Sequence, residues 1–418
     1  MSVYKTFSIY LGASFIERGL SFLILPVFTF YLAPSDFGML SLLTSLFVFT
    51  MPVISLGTQS AISVAYFNHN KEDYAVYVSS TLLIPLLISV LLLVLLILFG
   101  NYFSQELSVP RIWLTIIPVF SFFSVISSTL LIDYQIKQEA FKYGIFSLSG
   151  SVINMSLSLV LVIILDMNYQ GRLIGQYFSL LAFGLIALYI LQKRKVLVGK
   201  LSREFLVDSL LFGLPIVPHV IGGMVINMSD RIFINQIQGK SELGIYNIGY
   251  VIGSAISMLC NAFATAIVPY SYDKFSKGDS SSKQRVVKVY WIYILSLGLI
   301  VFLISVTAPL IFKWFIDERF ASGIVFVKWI SLGFFFQGCY LLFANIIYYT
   351  KRTKVLFYWS FVNITVNIGL NYLLINRFGT IGAAYTLCIS YFLFFISMAI
   401  ISNNYYPLPW FYFLKKSS

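Results

Sequence analysis

Residues 82–99 read LLIPLLISVLLLVLLILF, a run without a single charge. As a helix rising ~1.5 Å per residue it covers ~27 Å, close to the ~30 Å hydrocarbon core of a bilayer. A barrel strand needs only ~10 residues and alternates polar with apolar positions. The run is therefore read as a membrane-spanning helix. Similar windows recur along the whole chain, near 8–32, 37–65, 75–99, 111–132, 143–165, 172–192, 208–232, 243–269, 287–312, 322–349, 355–376 and 380–402. The expected fold class is an all-α integral membrane protein of about twelve transmembrane helices. Of its 418 residues, 59% are hydrophobic and only 11% charged, against roughly 25% charged in soluble domains, and the mean hydropathy is +0.88.

The net charge of +12 comes from basic residues scattered through short connectors, which argues against nucleic acid and for loop charges that orient the spans. With the N-terminus cytoplasmic, nineteen Lys and Arg fall inside and seven outside, so both termini are expected in the cytoplasm. The first apolar stretch carries Glu17 and Arg18 and has no small-residue cleavage site, so it is expected to stay in the mature protein. Cys260, Cys339 and Cys388 lie in apolar runs, which disfavours disulfides and zinc, and no cofactor is expected. The longest connectors, about 193–207 and 270–286, hold no soluble catalytic module. Gly239-Lys240-Ser241 lacks the earlier P-loop glycine, Ile234 standing there, and Ser280-x-x-Lys283 has no companion motifs.

Two short segments repeat. Ser35-Asp36-Phe37-Gly38 reads against Ser241-Glu242-Leu243-Gly244, and Ser151-x-x-Asn154 against Ser360-x-x-Asn363, at nearly the same shift. Gly171-x-x-x-Gly175 and Gly379-x-x-Gly382 follow one helix later in each half. Six spans per half is an even number, so the halves enter from the same side, as in transporters built from parallel repeats. The expected units are a first six-helix lobe over 1–193, a basic cytoplasmic linker over 194–207, a second six-helix lobe over 208–402 and a cytoplasmic tail over 403–418.

Glu17-Arg18 through Leu25-Pro26, Asp36-Phe37-Gly38, Leu214-Pro215, Asp230-Arg231, Gly244-x-Tyr246 and Asn363-x-x-x-Asn367 up to Gly379-x-x-Gly382-Ala383-Ala384 together resemble the bacterial polysaccharide flippases. These are the Wzx-type O-antigen transporters of the multidrug/oligosaccharidyl-lipid/polysaccharide exporter superfamily. The resemblance covers essentially the whole chain. It implies two MATE-like six-helix lobes around a central cavity and the translocation of an undecaprenyl-diphosphate-linked oligosaccharide from the inner to the outer leaflet.

Glu17 and Arg18 lie about ten residues into the first span, ~15 Å deep, where an exposed charge costs ~2.5–3.5 kcal/mol or more. Tyr10, Ser14, Glu17, Arg18 and Ser21 make one polar stripe expected to face the cavity. Arg18 is the expected diphosphate contact, because a guanidinium stays charged and its fork donates two hydrogen bonds; Glu17 either holds that side chain or titrates during the cycle. The competing reading is a self-contained pair that fixes helix packing. In the seventh span His219, Gly223, Asn227 and Asp230 share a face, and Pro215 and Pro218 interrupt the backbone ladder. His219, Asp230, Arg231 and the two prolines are candidate coupling or gating residues, with a lone interhelical His and an ordinary Asp230-Arg231 interfacial cap as the plainer readings.

Asn247, Tyr250, Ser254, Ser257, Asn261 and Thr265 line one face of the eighth span and are read as cavity. Ser147, Ser151, Asn154 and Ser158 in the fifth, and Ser360, Asn363, Asn367 and Asn371 in the eleventh, are read as interhelical packing. Lys328 is expected to snorkel to the external interface, and Asp133 to be an ordinary end charge unless Lys137 makes it part of a gate.

The function expected is a lipid-linked oligosaccharide flippase working by alternating access, with a coupling ion (H+ or Na+) and polysaccharide assembly proteins as further partners. A cation-coupled multidrug exporter of the same superfamily is the nearest alternative. A membrane-embedded polymerase is the rival from another class, disfavoured because no DxD and no external carboxylate or histidine cluster occurs.

Overall fold

The computed structural model describes residues 3–350 and 352–412. Among these residues every regular element is helical. The chain divides into two compact units, Met1–Met224 and Val225–Ser418.

The first unit begins with α1 (Val3–Tyr31) and α2 (Pro34–Ser55), separated by a two-residue turn. Asp36 stands in the first turn of α2 and its carboxylate accepts from the Ala33 backbone N–H at 3.0 Å, meeting one of the donors that a helix start leaves open. The expected second span over 37–65 is broken. Leu56 and Gly57 both turn to positive φ, and the chain restarts as α3 (Thr58–Asn68). A Cβ on Gly57 would lie 2.5 Å from the Gly213 carbonyl oxygen, so the two backbones meet where only glycine fits. Continuous hydropathy through 56–57 hides this break.

Then follow α4 (Lys71–Thr81), α5 (Leu83–Glu106), α6 (Arg111–Ile136), α7 (Ala140–Leu159, prolonged by a π-helical turn Val160–Ile164) and α8 (Asn168–Lys193). α5 leaves Leu87, Leu91 and Leu98 exposed, the surface expected of a helix facing hydrocarbon, with its backbone bonds satisfied internally. The core of the unit gathers Ile54, Ile62, Val78, Ile126, Leu130 and Leu191.

Beside this core the ends of three helices are tied by charge. Buried Asp133 takes Lys137 at 2.5 Å and Arg194 Nε at 3.1 Å, and Arg194 also bonds Glu139 at 2.8 Å. Asp133 is thus the centre of a four-residue cluster.

The stretch expected as a basic cytoplasmic linker packs on the first unit. The backbone N–H groups of Val198 and Ser202 donate to Ser79 Oγ and Ser80 Oγ, each at 2.8 Å. In α9 (Arg203–Gly213) Asp208 accepts from Tyr77 OH at 2.9 Å. The helix breaks through a 3-10 turn, Leu214–Ile216, carrying Pro215, and resumes as α10 (Val217–Ile237). The division between the two units falls after Met224, within α10.

The second unit continues through α11 (Lys240–Gly253), α12 (Ala255–Lys277), α13 (Ser280–Phe315), α14 (Ile324–Tyr349), α15 (Thr353–Phe378) and α16 (Ile381–Tyr405). α14 is the central post, packed against α11, α12, α13 and α16. The expected connector 270–286 shrinks to a turn at Gly278 and Asp279, where Asp279 caps α13 by accepting from Ser282 N–H at 2.8 Å. The 36 residues of α13 extend ~54 Å, well beyond the hydrocarbon. Residues after α16 fold back: Trp410 O accepts from Trp291 Nε1 at 3.0 Å, and Tyr406 OH donates to Phe275 O at 3.2 Å.

Nine helical segments are long and apolar enough to cross a bilayer, ten with the bent pair 203–237, counting described residues only. α1 and α15, of 29 and 26 residues, are also of spanning length. The repeated motif falls at two helix starts: Glu242 stands in the first turn of α11 as Asp36 does in α2, and accepts from Thr380 Oγ1 at 2.9 Å.

Candidate functional site

Each unit holds a polar constellation of its own. In the first, α1, α6, α7 and α8 line an open cavity of about 280 Å³. Its wall is rich in hydroxyls: Ser124, Ser127 and Ser128 from α6, Ser147 and Ser151 from α7, and Ser179 from α8, with Asn154, Gln176 and the carboxylate of Glu17. Helical spacing explains the clustering, since residues three and four apart share a face.

Glu17 accepts from Ser147 Oγ at 2.9 Å. Ser179 Oγ donates to the Gly150 carbonyl at 2.9 Å, and Ser128 Oγ accepts from Gln59 Nε2 at 2.6 Å. The buried Ser127 Oγ has no partner among the described residues. Buried polar atoms rarely stay unpaired, so the wall suits water or a hydroxylated ligand.

Glu17 is thus placed in the wall of this cavity. The side chains of Tyr10, Ser14, Arg18, Ser21 and His219 lie outside the described residues. The fifth-span reading is corrected: Ser147, Ser151 and Asn154 line the cavity instead of only joining helices, because α7 is rotated with this face inward. Ser158 does join helices. A Cβ on Gly175 would clash with Ser158 Oγ and backbone, so α8 lies directly against α7.

Arg172, one turn from Gln176 on α8, donates from Nη1 to Asn154 Oδ1 at 2.7 Å and Ser158 Oγ at 3.0 Å. In the charge balance of the sequence it is one of the seven external Lys and Arg. Its signal was the Arg172-x-x-x-Gln176 pair beside Gly171-x-x-x-Gly175, as Ser124-x-x-Ser127-Ser128 was for α6.

The second constellation is a closed network. Asp230 and Arg231, 3% and 5% exposed, lie inside α10, so they are no interfacial cap. Arg231 Nη1 donates to Asp230 Oδ1 at 3.0 Å and to the Asn227 carbonyl at 2.7 Å, and its guanidinium stands 4.2 Å from the Tyr250 ring centre. Tyr246 OH donates to Asp230 Oδ2. Tyr391 OH donates to Asn227 Oδ1 at 2.8 Å and accepts from Gln337 Nε2 at 2.9 Å, and Ser257 Oγ reaches Gln337 Oε1 at 3.3 Å. Five helices, α10, α11, α12, α14 and α16, are thereby held in register, and both charges are neutralised internally.

The eighth-span stripe divides. Tyr250 and Ser257 join this network, half-buried Asn247 stays on α11, and Ser254 and exposed Asn261 bond to their own backbone. The span itself breaks at Ser254, between α11 and α12. Asn367 and Asn371 on α15 bond with Ser229 and Ser390 at 3.0 to 3.2 Å. Exposed Lys328 stands 5.6 Å from the ring centre of Trp329. Pro215 and Pro218 are both exposed, flanking the break between α9 and α10.

Comparison with known proteins supplies the family. Residues 3–275 match the family described as polysaccharide biosynthesis protein, and 215–373 match MatE. The chain belongs to the polysaccharide biosynthesis protein family. An Lsg-locus protein of Haemophilus influenzae is 22% identical over 376 residues, covering 85% of this chain and 87% of that protein. A membrane protein of Methanocaldococcus jannaschii is 24% identical, covering 92% and 94%. Among solved structures, the lipid II flippase MurJ in an inward closed conformation superposes with a TM-score of 0.74 at 16% identity, covering 94% of this chain and 87% of that one. An inward-facing multidrug resistance MATE transporter gives 0.71 at 13%, covering 93% and 95%. This polysaccharide biosynthesis protein therefore has the fold of the multidrug/oligosaccharidyl-lipid/polysaccharide exporter superfamily and is a multi-pass membrane protein.

Proposed function

We propose that the protein is a flippase that moves an undecaprenyl-diphosphate-linked oligosaccharide across the bacterial inner membrane by alternating access, without covalent chemistry. Both termini lie in the cytoplasm. The observation that carries this reading is the cavity of the first unit, whose wall offers many hydroxyls and one carboxylate. Uncharged donors and acceptors exchange hydrogen bonds with sugar hydroxyls at little net cost, about 0.5–1.5 kcal/mol each, so a sugar passes without being trapped. The family match agrees in kind.

Arg18, the neighbour of Glu17 on α1, takes the diphosphate, and Glu17 answers to the coupling ion, H+ or Na+. The polyprenyl tail stays in lipid while the head group crosses. The test is export of repeat units in cells lacking the protein and carrying either Arg18→Ala or Lys328→Ala at matched levels. Arg18→Ala is expected to impair export strongly and Lys328→Ala to leave it near wild type; equal export by the two removes the assignment of Arg18.

A second reading, a cation-coupled multidrug exporter, is favoured by the MatE match over 215–373 and by a carboxylate in the cavity. It requires drug resistance to rise on expression and to fall with Glu17→Gln.

A further inference from the structure

Two opposite charges reach the α7 helix two turns apart, Glu17 in the wall of the cavity and Arg172 behind the wall residue Asn154. Along α7, Ser147 meets Glu17, and Asn154, two turns away and ~10 Å distant, meets Arg172. Glu17 has a hydroxyl donor. Arg172 has no carboxylate within 4 Å among the described residues.

Arg172 is held firmly. Nη1 is fixed by Asn154 and Ser158, the guanidinium carbon stands 5.6 Å from the Phe28 ring centre, and α8 is seated against α7 by Gly171 and Gly175. The remaining donors, Nε and Nη2, have no protein partner among the described residues. A charged guanidinium within a membrane unit is costly unless neutralised, and two free donor groups on one planar fork match two oxygens of one anion.

We infer that Arg172 is a second oxyanion site, which takes a phosphate group at the end of α7 remote from Glu17, beside the cavity-wall residue Asn154. Resting on the flippase reading and its orientation, this is the external end, where the diphosphate of the lipid-linked substrate is received before release. Asn154 is a positioning residue that aims the fork.

Two sources supply such an oxyanion, a lipid-linked diphosphate or a free one, and the test separates them. The full-length protein in detergent is treated with an arginine-directed dicarbonyl, and modification of the peptide containing Arg172 is followed by mass spectrometry. The additions are farnesyl diphosphate, inorganic pyrophosphate or farnesol. The expected result is that farnesyl diphosphate slows modification at Arg172 and farnesol does not. Protection by pyrophosphate alone overturns the link to substrate, and an unchanged rate with every addition overturns the site.

In parallel, Arg172→Gln should raise the farnesyl diphosphate concentration needed for half-maximal thermal protection by about tenfold or more, the loss of a charge-assisted pair. Arg172→Lys should recover part of it. A purely packing role lowers the unliganded melting midpoint and leaves the ligand response unchanged, which contradicts the inference. Should Arg172 prove unprotected while cells lacking the protein still accumulate unflipped repeat units, the second site falls and the flippase reading stands.

Discussion

Asp230 and Arg231 show what a charged pair inside a membrane unit does when nothing is left over for a ligand. The carboxylate is met by Arg231 and Tyr246, and the guanidinium by Asp230, the Asn227 carbonyl and the Tyr250 ring. Removing one partner strands the other. Asp230→Ala is expected to cost about 3–5 kcal/mol, whereas Tyr246→Phe, which deletes one hydrogen bond to a charged group, costs about 1.5–3 kcal/mol. Melting midpoints in detergent check the order, and equal midpoints contradict a network built on the ion pair.

Arg172 is held by neutral acceptors alone, which is why it and not Arg231 is assigned a ligand. Residue type showed in the sequence where charge meets hydrophobicity, at Glu17 and Asp230. It did not show at Arg172, because a charge four residues from a helix start reads as a loop charge. Rotation was also hidden: the serines of α7 follow the same spacing whether they face a neighbour or a cavity.

At the scale of elements, apolar runs marked the helices because a helix in lipid must satisfy its own backbone. Breaks within those runs stayed hidden. The turn at Leu56-Gly57 is set by the approach of Gly213, a contact distant in sequence. Gly57→Ala places a Cβ against that backbone at a positive φ, where the left-handed conformation alone costs about 1–2 kcal/mol. Its melting midpoint should fall more than that of Gly199→Ala, where a Cβ meets open space; equal midpoints contradict a built-in contact.

At the helix ends joined by Asp133, Lys137, Glu139 and Arg194, Glu139 is the group expected to carry an acid response. Partial burial pushes the Glu139 carboxyl up, but Arg194 and Lys142 outweigh it and hold the group below its ordinary 4.5. The unfolded chain then takes up protons first as pH falls, so stability is complete above 4.5 and declines as pH drops through the folded-state value. Acidification from neutral to about pH 4 should lower the melting midpoint of wild type more than that of Glu139→Gln. An equal loss in both removes Glu139 from the acid response.

At the scale of the whole molecule, the chain divides into two helical units, and the paired motifs at Asp36 and Glu242 each fall in the first turn of a helix. Those two helix starts were legible because an acidic residue just before an apolar run marks a helix N-terminus. The boundary at Met224 was not, since the basic segment after Lys193 is tied to the first unit by Ser79, Ser80 and Tyr77, contacts that composition does not reveal.

The flippase account turns on where lipid-linked repeat units stop when the protein is missing. The most direct measurement extracts them from cells lacking it and scores total amount and accessibility to an externally added sugar-modifying enzyme, before and after restoring wild type or Arg18→Ala. The account predicts intact, externally inaccessible units that accumulate and are relieved by wild type alone. Units that are externally accessible yet unpolymerised place the block after translocation and contradict it.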